Sequence, residues 1–206
     1  FLKIALPLIV QENKKLLSIN KQINSIKHRF SQISRKEAVF IANLMEEYKE
    51  VSIDNLLIKI DEIPVSLALS QAVIESGWGT SRFAYEGNAL FGQYVWGNTT
   101  NGIVPNERET NAKYKIKSFN TLRESVASYM KNLNTNSHYN EFRINRFVLR
   151  SNKQPLSGSY LADYLFNYSI ENDYPSKIKK LIEINNFEDF EDLSIESYQS
   201  LDTDII

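Results

Sequence analysis

Gln71-Ala-Val-Ile-Glu-Ser-Gly-Trp-Gly79 decides how this chain is interpreted, because it is typical of a short apolar helix that ends in a carboxylate and a glycine break. Pro64 suits the first turn of such a helix, and Gly77 suits the turn just after its end. The residues between them are apolar on almost every side, which is typical of a buried helix. The sequence therefore predicts a buried helix that carries Glu75 in its last turn.

The position of Glu75 favours a carboxyl group that keeps its proton near neutral pH. The negative end of the helix dipole disfavours the carboxylate, and partial burial beside Trp78 acts in the same direction. A protonated carboxylic acid is the group that an enzyme needs to protonate a glycosidic leaving group. A glutamate that only bonds a local amide fits the same position, so position alone leaves both interpretations open.

Two neighbouring motifs, Glu75-Ser-Gly-Trp-Gly79 and Asn88-Ala-Leu-Phe-Gly92, resemble the paired signature of the bacterial peptidoglycan glucosaminidases of glycoside hydrolase family 73. This family is related in fold to the lysozymes, and the chain is most similar to its Bax-like branch from Gram-negative bacteria. Further similarity lies in Leu6-Pro-Leu8, Gly102-Ile-Val-Pro105 and Tyr129-Met-Lys-Asn-Leu-Asn-Thr135. The resemblance covers residues 1–186, and it implies that Glu75 is the general acid.

The resemblance also suggests candidates for a second catalytic group. Family members often carry another glutamate in a flexible β lobe, which favours Glu109 and leaves Glu107 as an alternative. A third possibility has no protein nucleophile, because the N-acetyl group of the substrate can supply its own carbonyl oxygen. A tyrosine near the end of the domain is often important in the family and corresponds to Tyr168, although the spacing to the next acid differs here from the family pattern.

Four further residues are predicted to line the substrate site. Sugar rings have apolar C–H faces, so the aromatic side chains of Trp78, Tyr94 and Trp96 are expected to bind them, Tyr94 and Trp96 being the better candidates. Core packing is the alternative for Trp78. Asn88 is grouped with the site because its side chain is expected to bond backbone near Glu75 and hold the loop.

Apolar spacing along the rest of the chain predicts mostly helices. Ser34-Arg-Lys-Glu37 is a capping box, Asp54 begins a shorter helix, Ser118 or Thr121 begins another, and the last helix follows Pro175. Ile103-Val104 and Tyr114-Lys-Ile-Lys117 predict two strands of a hairpin. The expected fold is thus mainly α (α+β), a lysozyme-like helical domain with a small β-hairpin lobe.

The opening residues 1–10 are apolar but are too short to span a bilayer as a helix. They are predicted to form an amphipathic helix that packs on the domain through Leu6, Ile9, Val10, Leu16 and Leu17, without stable membrane insertion. Any signal or anchor would lie upstream. The resemblance implies a bacterial envelope location, in the periplasm or outside the cell.

Composition limits the remaining functions. The chain has no cysteine and only two histidines, which excludes thiolate chemistry and a histidine-based metal cluster, so no metal or organic cofactor is expected. Residues 187–206 contain seven acids and no Lys or Arg, which leaves 24 basic against 18 acidic side chains in residues 1–186. That positive charge suits an anionic wall polymer, whereas no basic cluster with interleaved aromatics indicates nucleic acid.

These observations predict one catalytic domain at residues 1–186, followed by an acidic tail at residues 187–206. The tail is expected to contribute little to the core, although Phe187, Phe190 and Leu193 can anchor one short segment of it. The expected activity is that of a monomeric endo-β-N-acetylglucosaminidase, which cleaves the β-1,4 bond after N-acetylglucosamine in the glycan strands of peptidoglycan. A muramidase or lytic transglycosylase of the same fold is the first alternative. The second is a catalytically inactive protein that binds the cell wall or acts as a scaffold.

Overall fold

The computed structural model describes residues 1–97, 101–106, 113–169, 171 and 173–193. The helices are α1 (Leu2–His28), α2 (Arg35–Tyr48), α3 (Ile53–Lys59), α4 (Val65–Ser76), α5 (Arg82–Gly87), α6 (Leu122–Thr135), α7 (Asn140–Ser151), α8 (Gly158–Ala162) and α9 (Tyr174–Ile184). The strands are β1 (Tyr94–Trp96), β2 (Gly102–Ile103) and β3 (Tyr114–Lys117). Short 3-10 helices lie at Phe30–Gln32, Ser137–Tyr139 and Phe187–Phe190. The predicted mainly α (α+β) class, a helical body with a small β lobe, is confirmed.

The helix α4 lies at the centre of the helical body, with α1, α8, α9 and the 3-10 helix Phe187–Phe190 packed around it. Residues 65–73 are all buried, as the apolar pattern predicts. The helix ends where Gly77 adopts the left-handed conformation, with a φ of +56°, and donates its N–H to the carbonyl oxygen of Val73. Glycine reaches this conformation without the steric cost of a Cβ. Glu75 is therefore held in the last turn of a buried helix.

The helix α1 covers one side of α4, as expected of the opening residues. Leu6, Ile9, Val10 and Leu16 are buried, and Leu17 is partly buried. In the same interface, the side chain of Asn13 donates to the carbonyl oxygen of Ile63 at 2.7 Å and accepts from its N–H at 3.0 Å. This pair of bonds fixes the chain just before α4 begins. Among the described helices, none is long and apolar enough to cross a membrane.

A buried arginine holds the connection between α3 and α4 from the other side. Arg146 of α7 is fully buried and donates hydrogen bonds to the backbone carbonyl oxygens of residues 58, 59, 61 and 62 and to Oδ1 of Asn134. Burial lowers the pKa of Arg146 to about 10, so the guanidinium is charged at neutral pH. A buried charge is tolerated only when it is paired or hydrogen-bonded. These contacts therefore fix where α4 starts.

The β lobe is a three-stranded antiparallel sheet in the order β1-β3-β2. The predicted β2–β3 hairpin is confirmed, with Ile103 opposite Ile116, but the prediction of only two strands was wrong, because β1 pairs with the other edge of β3. Glycine is required at residue 102, where an added Cβ would lie 2.8 Å from the carbonyl oxygen of Ile116. Such close approach of two backbones is a common reason for glycine in a strand.

The predicted helix starts are close to those observed. Ser34 and Glu37 form the capping box at the start of α2, and the Thr121 side chain accepts from the Glu124 N–H at the start of α6. The helix α3 begins at Ile53, after the cap Ser52, rather than at Asp54. The last predicted helix, α9, begins at Tyr174, one residue before Pro175. Differences of this size are normal at helix ends.

Residues 187–193 pack on the helical body as the short segment that Phe187, Phe190 and Leu193 were expected to anchor, and Phe187 contributes to the core. Phe187 is fully buried. The carboxylate of Glu191 accepts hydrogen bonds from the N–H groups of Val65 and Ser66, at 2.7 and 3.3 Å, and from the Ser66 hydroxyl. The bonds from Glu191 were not predicted, because acidic composition does not show which carboxylate accepts from the start of a helix. Residues 194–206 lie outside the described residues.

Candidate active site

Glu75 lies half-buried in the last turn of α4, and its Oε1 accepts a hydrogen bond of 3.0 Å from the Tyr174 hydroxyl. Burial, with a smaller effect of Glu171, raises the pKa of Glu75 to about 7, whereas the hydrogen bond from Tyr174 opposes the shift. The raised pKa agrees with the prediction from sequence. A carboxyl group with this pKa is partly protonated at neutral pH and can donate a proton there.

The turn after Glu75 is fixed by its own backbone bonds. The Ser76 hydroxyl accepts from the Gly79 N–H at 2.8 Å and donates to the carbonyl oxygen of Ala72. Trp78 has a φ of +58°, a conformation that a bulky residue rarely adopts. Such backbone strain persists only where the surrounding structure enforces it. The turn therefore leaves Glu75 little freedom to move with the loop.

A cleft of about 380 Å³ opens beside Glu75. Its lining residues come from α4, the segment around β1, α6 and the connection before α9: Glu75, Phe91, Gly92, Gln93, Tyr94, Asn132, Asn136, Tyr139, Tyr168 and Ser169. Gly92 has a φ of +56°, and an added Cβ there would lie 3.0 Å from Glu75 Oε2. Glycine thus lets the cleft wall approach the carboxyl group closely. The second motif, which ends at Gly92, is thus brought next to Glu75.

Tyrosines form the wall of the cleft around Glu75. The ring of Tyr168 stacks on that of Tyr174, with centroids 5.5 Å apart, and its hydroxyl donates to the carbonyl oxygen of Phe91 at 3.3 Å. Burial raises the pKa of Tyr168 well above its ordinary value, and the other buried hydroxyls and Glu75 add to the shift. Tyr168 is therefore a neutral phenol that can donate a hydrogen bond at the cleft wall.

Sequence reasoning missed two side chains that contact or support Glu75. No sequence pattern indicated a role for Tyr174, yet it provides the hydroxyl bonded to Glu75. Gln71 is fully buried, and its Nε2 donates to the Tyr174 hydroxyl at 3.0 Å. Gln71 precedes Glu75 by four residues and so lies on the same face of α4. A buried amide at that spacing was the available signal.

The structure places Tyr94 and Trp96 on one face of β1, because side chains alternate along a strand. Both are exposed, and Tyr94 lines the cleft. Tyr114 lies opposite Trp96 in β3, and its ring meets both others edge to face, with centroid distances of 4.9 Å to Tyr94 and 5.8 Å to Trp96. These three rings form an aromatic surface beside the cleft.

Two of the predicted site residues lie elsewhere. The Trp78 ring meets Phe1 at 5.7 Å and Phe187 at 6.4 Å between centroids, and it is not among the residues that line the cleft. The side chain of Asn88 donates to the carbonyl oxygens of residues 119 and 120, so its expected bond to backbone near Glu75 was wrong. Asn88 instead adopts the left-handed conformation at the end of α5 and ties this end to the start of α6.

The remaining candidates for the second catalytic group, Glu109 and Glu107, belong to the connection between β2 and β3 and lie outside the described residues. The choice between them stays a prediction. For the part of the chain that the structure describes, no group of three His, Cys, Asp or Glu side chains lies close enough to hold a metal ion.

Comparison with known proteins identifies the family. Residues 55–187 match the model of the Glucosaminidase family, described as mannosyl-glycoprotein endo-beta-N-acetylglucosaminidase. Protein bax of Escherichia coli (strain K12) is 31% identical over 180 residues, which cover 82% of this chain and 62% of Protein bax. The catalytic domain of the autolysin Auto from Listeria monocytogenes aligns with a TM-score of 0.42 and 17% identity, over 84% of this chain and 86% of that domain. Since the family model covers well over half of the sequence, this chain belongs to the glucosaminidase family, and it resembles the Bax-like branch.

Proposed function

We propose that this protein is a peptidoglycan hydrolase, an endo-β-N-acetylglucosaminidase that cleaves the β-1,4 bond after N-acetylglucosamine, with Glu75 as the general acid. The observation that carries the proposal is a half-buried carboxyl group with a pKa of about 7 at the wall of an open cleft. The family match supports N-acetylglucosamine as the sugar. The net positive charge of residues 1–186 suits the anionic wall, and the proposed location is the bacterial envelope.

In this mechanism Glu75 donates its proton to the glycosidic oxygen while the bond from that oxygen to the anomeric carbon breaks. The oxygen leaves as a hydroxyl group, and water supplies a hydroxyl to the anomeric carbon and returns a proton to the enzyme. A pKa close to the working pH makes both the donation and the return of the proton feasible.

The second catalytic role has three candidates: Glu109, Glu107 and the acetamide of the substrate. The acetamide route is supported by the neutral hydroxyl of Tyr168 at the cleft wall, whose proton is donated to the carbonyl oxygen of Phe91 and whose oxygen can accept a hydrogen bond from the acetamide N–H. If Glu109 has the role, Glu109→Gln lowers turnover more than Glu107→Gln does. If both variants and the double variant stay active, Tyr168→Phe is expected to show the larger loss.

The proposal is tested with purified peptidoglycan and the variant Glu75→Gln, which keeps the size of the side chain and an acceptor for the Tyr174 hydroxyl. Loss of general-acid assistance lowers the rate by roughly 10²–10⁴-fold. Mass spectrometry of the products should show N-acetylglucosamine at the new reducing ends. Reducing ends on N-acetylmuramic acid would indicate a muramidase, and anhydro ends would indicate a lytic transglycosylase. Binding to peptidoglycan without any cleavage would indicate a wall-binding protein. Near wild-type turnover of the variant would remove Glu75 from the mechanism.

A further inference from the structure

A line of three hydrogen bonds runs from the core to Glu75. The Tyr129 hydroxyl donates to Gln71 Oε1 at 2.6 Å, Gln71 Nε2 donates to the Tyr174 hydroxyl at 3.0 Å, and the Tyr174 hydroxyl donates to Glu75 Oε1 at 3.0 Å. Gln71, Tyr129 and Tyr174 are buried, with at most 1% of their surface exposed. None of these three side chains is among those that line the cleft.

The amide of Gln71 gives this line its direction. An amide has a carbonyl oxygen that only accepts and an NH₂ group that only donates, whereas a tyrosine hydroxyl has a single proton. The bond of 2.6 Å suits O–H···O and the bond of 3.0 Å suits N–H···O, so Oε1 faces Tyr129 and Nε2 faces Tyr174. Because the Tyr174 oxygen accepts from Gln71, its own proton is directed to Glu75.

The two carboxyl oxygens of Glu75 are therefore not equivalent. Oε1 accepts the hydrogen bond from the Tyr174 hydroxyl, whereas Oε2 faces Gly92 at the cleft wall. We infer that Gln71 and Tyr174 are positioning residues that assign the acid proton of Glu75 to Oε2, the oxygen beside the cleft. This inference rests on the proposed role of Glu75 as the general acid. Without the line of bonds, the proton could reside on Oε1, directed into the core and away from a glycosidic oxygen.

The surroundings of Glu75 make the Tyr174 bond the main force that opposes its protonation. Among the described residues, the titratable groups that face it are Tyr174 of α9, Tyr129 of α6, Tyr139, Tyr168 and Glu171. Burial raises the pKa of each of these tyrosines, so all four are neutral at physiological pH. Glu171 raises the pKa of Glu75, and the Tyr174 bond lowers it.

The test is the direction in which the pKa of Glu75 moves in Tyr174→Phe. Loss of a bond that stabilises the carboxylate should raise this pKa by about one pH unit. It is measured by carbon-13 NMR titration of labelled glutamate side chains, with Glu75→Gln to assign the signal. With peptidoglycan as substrate, the alkaline limb of the kcat–pH profile should shift to higher pH by the same amount. At the acidic plateau, kcat should fall at least about twofold with KM unchanged, because half or more of the Glu75 protons then reside on the oxygen that faces away from the cleft.

Gln71→Met provides a second variant, in case loss of the hydroxyl destabilises the fold. It removes the donor to Tyr174 but keeps the length of the side chain, so the Tyr174 proton can turn away from Glu75. We expect the pKa of Glu75 to rise in this variant as well, by less than it rises in Tyr174→Phe. Tyr164→Phe is the matched control, because it removes a hydroxyl that donates to the exposed Tyr160 hydroxyl. It should leave the pKa of Glu75 unchanged.

A lower pKa of Glu75 in Tyr174→Phe would show that the Tyr174 hydroxyl accepts a hydrogen bond from protonated Glu75, and would overturn the inference. An unchanged pKa in both Tyr174→Phe and Gln71→Met would overturn it as well. The NMR titration needs no substrate. If the wild-type protein cleaves no glycan, the proposed function fails, while the titration still decides whether the line of bonds directs the proton.

Discussion

At the scale of single residues, Glu75 combines a chemical advantage with a cost in stability. Burial raises its pKa from 4.5 to about 7, which suits an acid catalyst. The same burial means that ionisation above this pKa places a charge in a poorly solvated site. Between pH 4.5 and 7 the folded state binds more protons than the unfolded state, so the contribution of Glu75 to the free energy of unfolding falls as the pH rises.

Glu75→Gln should therefore become more stable relative to the wild-type protein as the pH rises from 5 to 8. The variant cannot ionise and still accepts from Tyr174. The difference in melting temperature is measured by calorimetry at constant ionic strength, and about 2–4 °C is expected for each kcal/mol. Glu183→Gln, at an exposed position of α9, is the control and should follow the wild-type curve. A difference that does not vary with pH would contradict the raised pKa of Glu75.

Among the helices and strands, those whose position depends on interactions between residues close in sequence were predicted correctly. The buried helix up to Gly77, the capping box at Ser34 and the β2–β3 hairpin each depend on neighbouring residues, and each is present. The strand β1 escaped prediction because it is three residues long and pairs with β3, which lies about twenty residues further along the chain. The bond from Tyr174 to Glu75 joins positions 99 residues apart, and spacing cannot show such a contact.

In the proposed mechanism, the aromatic surface on the β sheet binds the glycan strand next to the cleft. Because Tyr94 and Trp96 share a face of β1, their rings can contact successive sugars that extend from the cleft. Trp96→Ala should raise KM for glycan strands about tenfold, roughly 1.4 kcal/mol, with little change in kcat or melting temperature, because the ring is 68% exposed. Tyr94→Ala, at the cleft itself, should also lower kcat.

Tyr85→Ala is the matched control for these substitutions, since Tyr85 of α5 is 88% exposed and does not line the cleft. Steady-state kinetics on soluble glycan fragments of increasing length should show the Trp96 effect only for the longer fragments. If Trp96→Ala and Tyr85→Ala behave alike at every length, the aromatic surface does not bind the glycan.

At the scale of the whole molecule, residues 187–193 hold both ends of the helix that carries Glu75. The Phe187 ring meets Trp78 just beyond the C-terminal end of α4. At the other end, Glu191 accepts from the N–H groups of Val65 and Ser66, which no residue within the helix can bond. Burial raises the pKa of Glu191 to about 7, and the bonds from Ser66 and Val65 oppose that shift. A segment classed by composition as a tail is therefore part of the support for the site.

Truncation after residue 186 should consequently lower the melting temperature well below that of a chain truncated after residue 193. Loss of the buried Phe187 ring alone costs about 3–5 kcal/mol, by analogy with large-to-small core substitutions. At roughly 2–4 °C per kcal/mol, the difference between the two truncations is on the order of 10 °C. The point variant Phe187→Ala should reproduce most of it, whereas Phe166→Ala, at a ring that is 56% exposed, should cause little loss. Because Phe187 supports the turn after Glu75, the shorter chain should also lose turnover at temperatures where it is still folded. Equal melting temperatures for the two truncations would show that residues 187–193 add nothing to the stability of the domain.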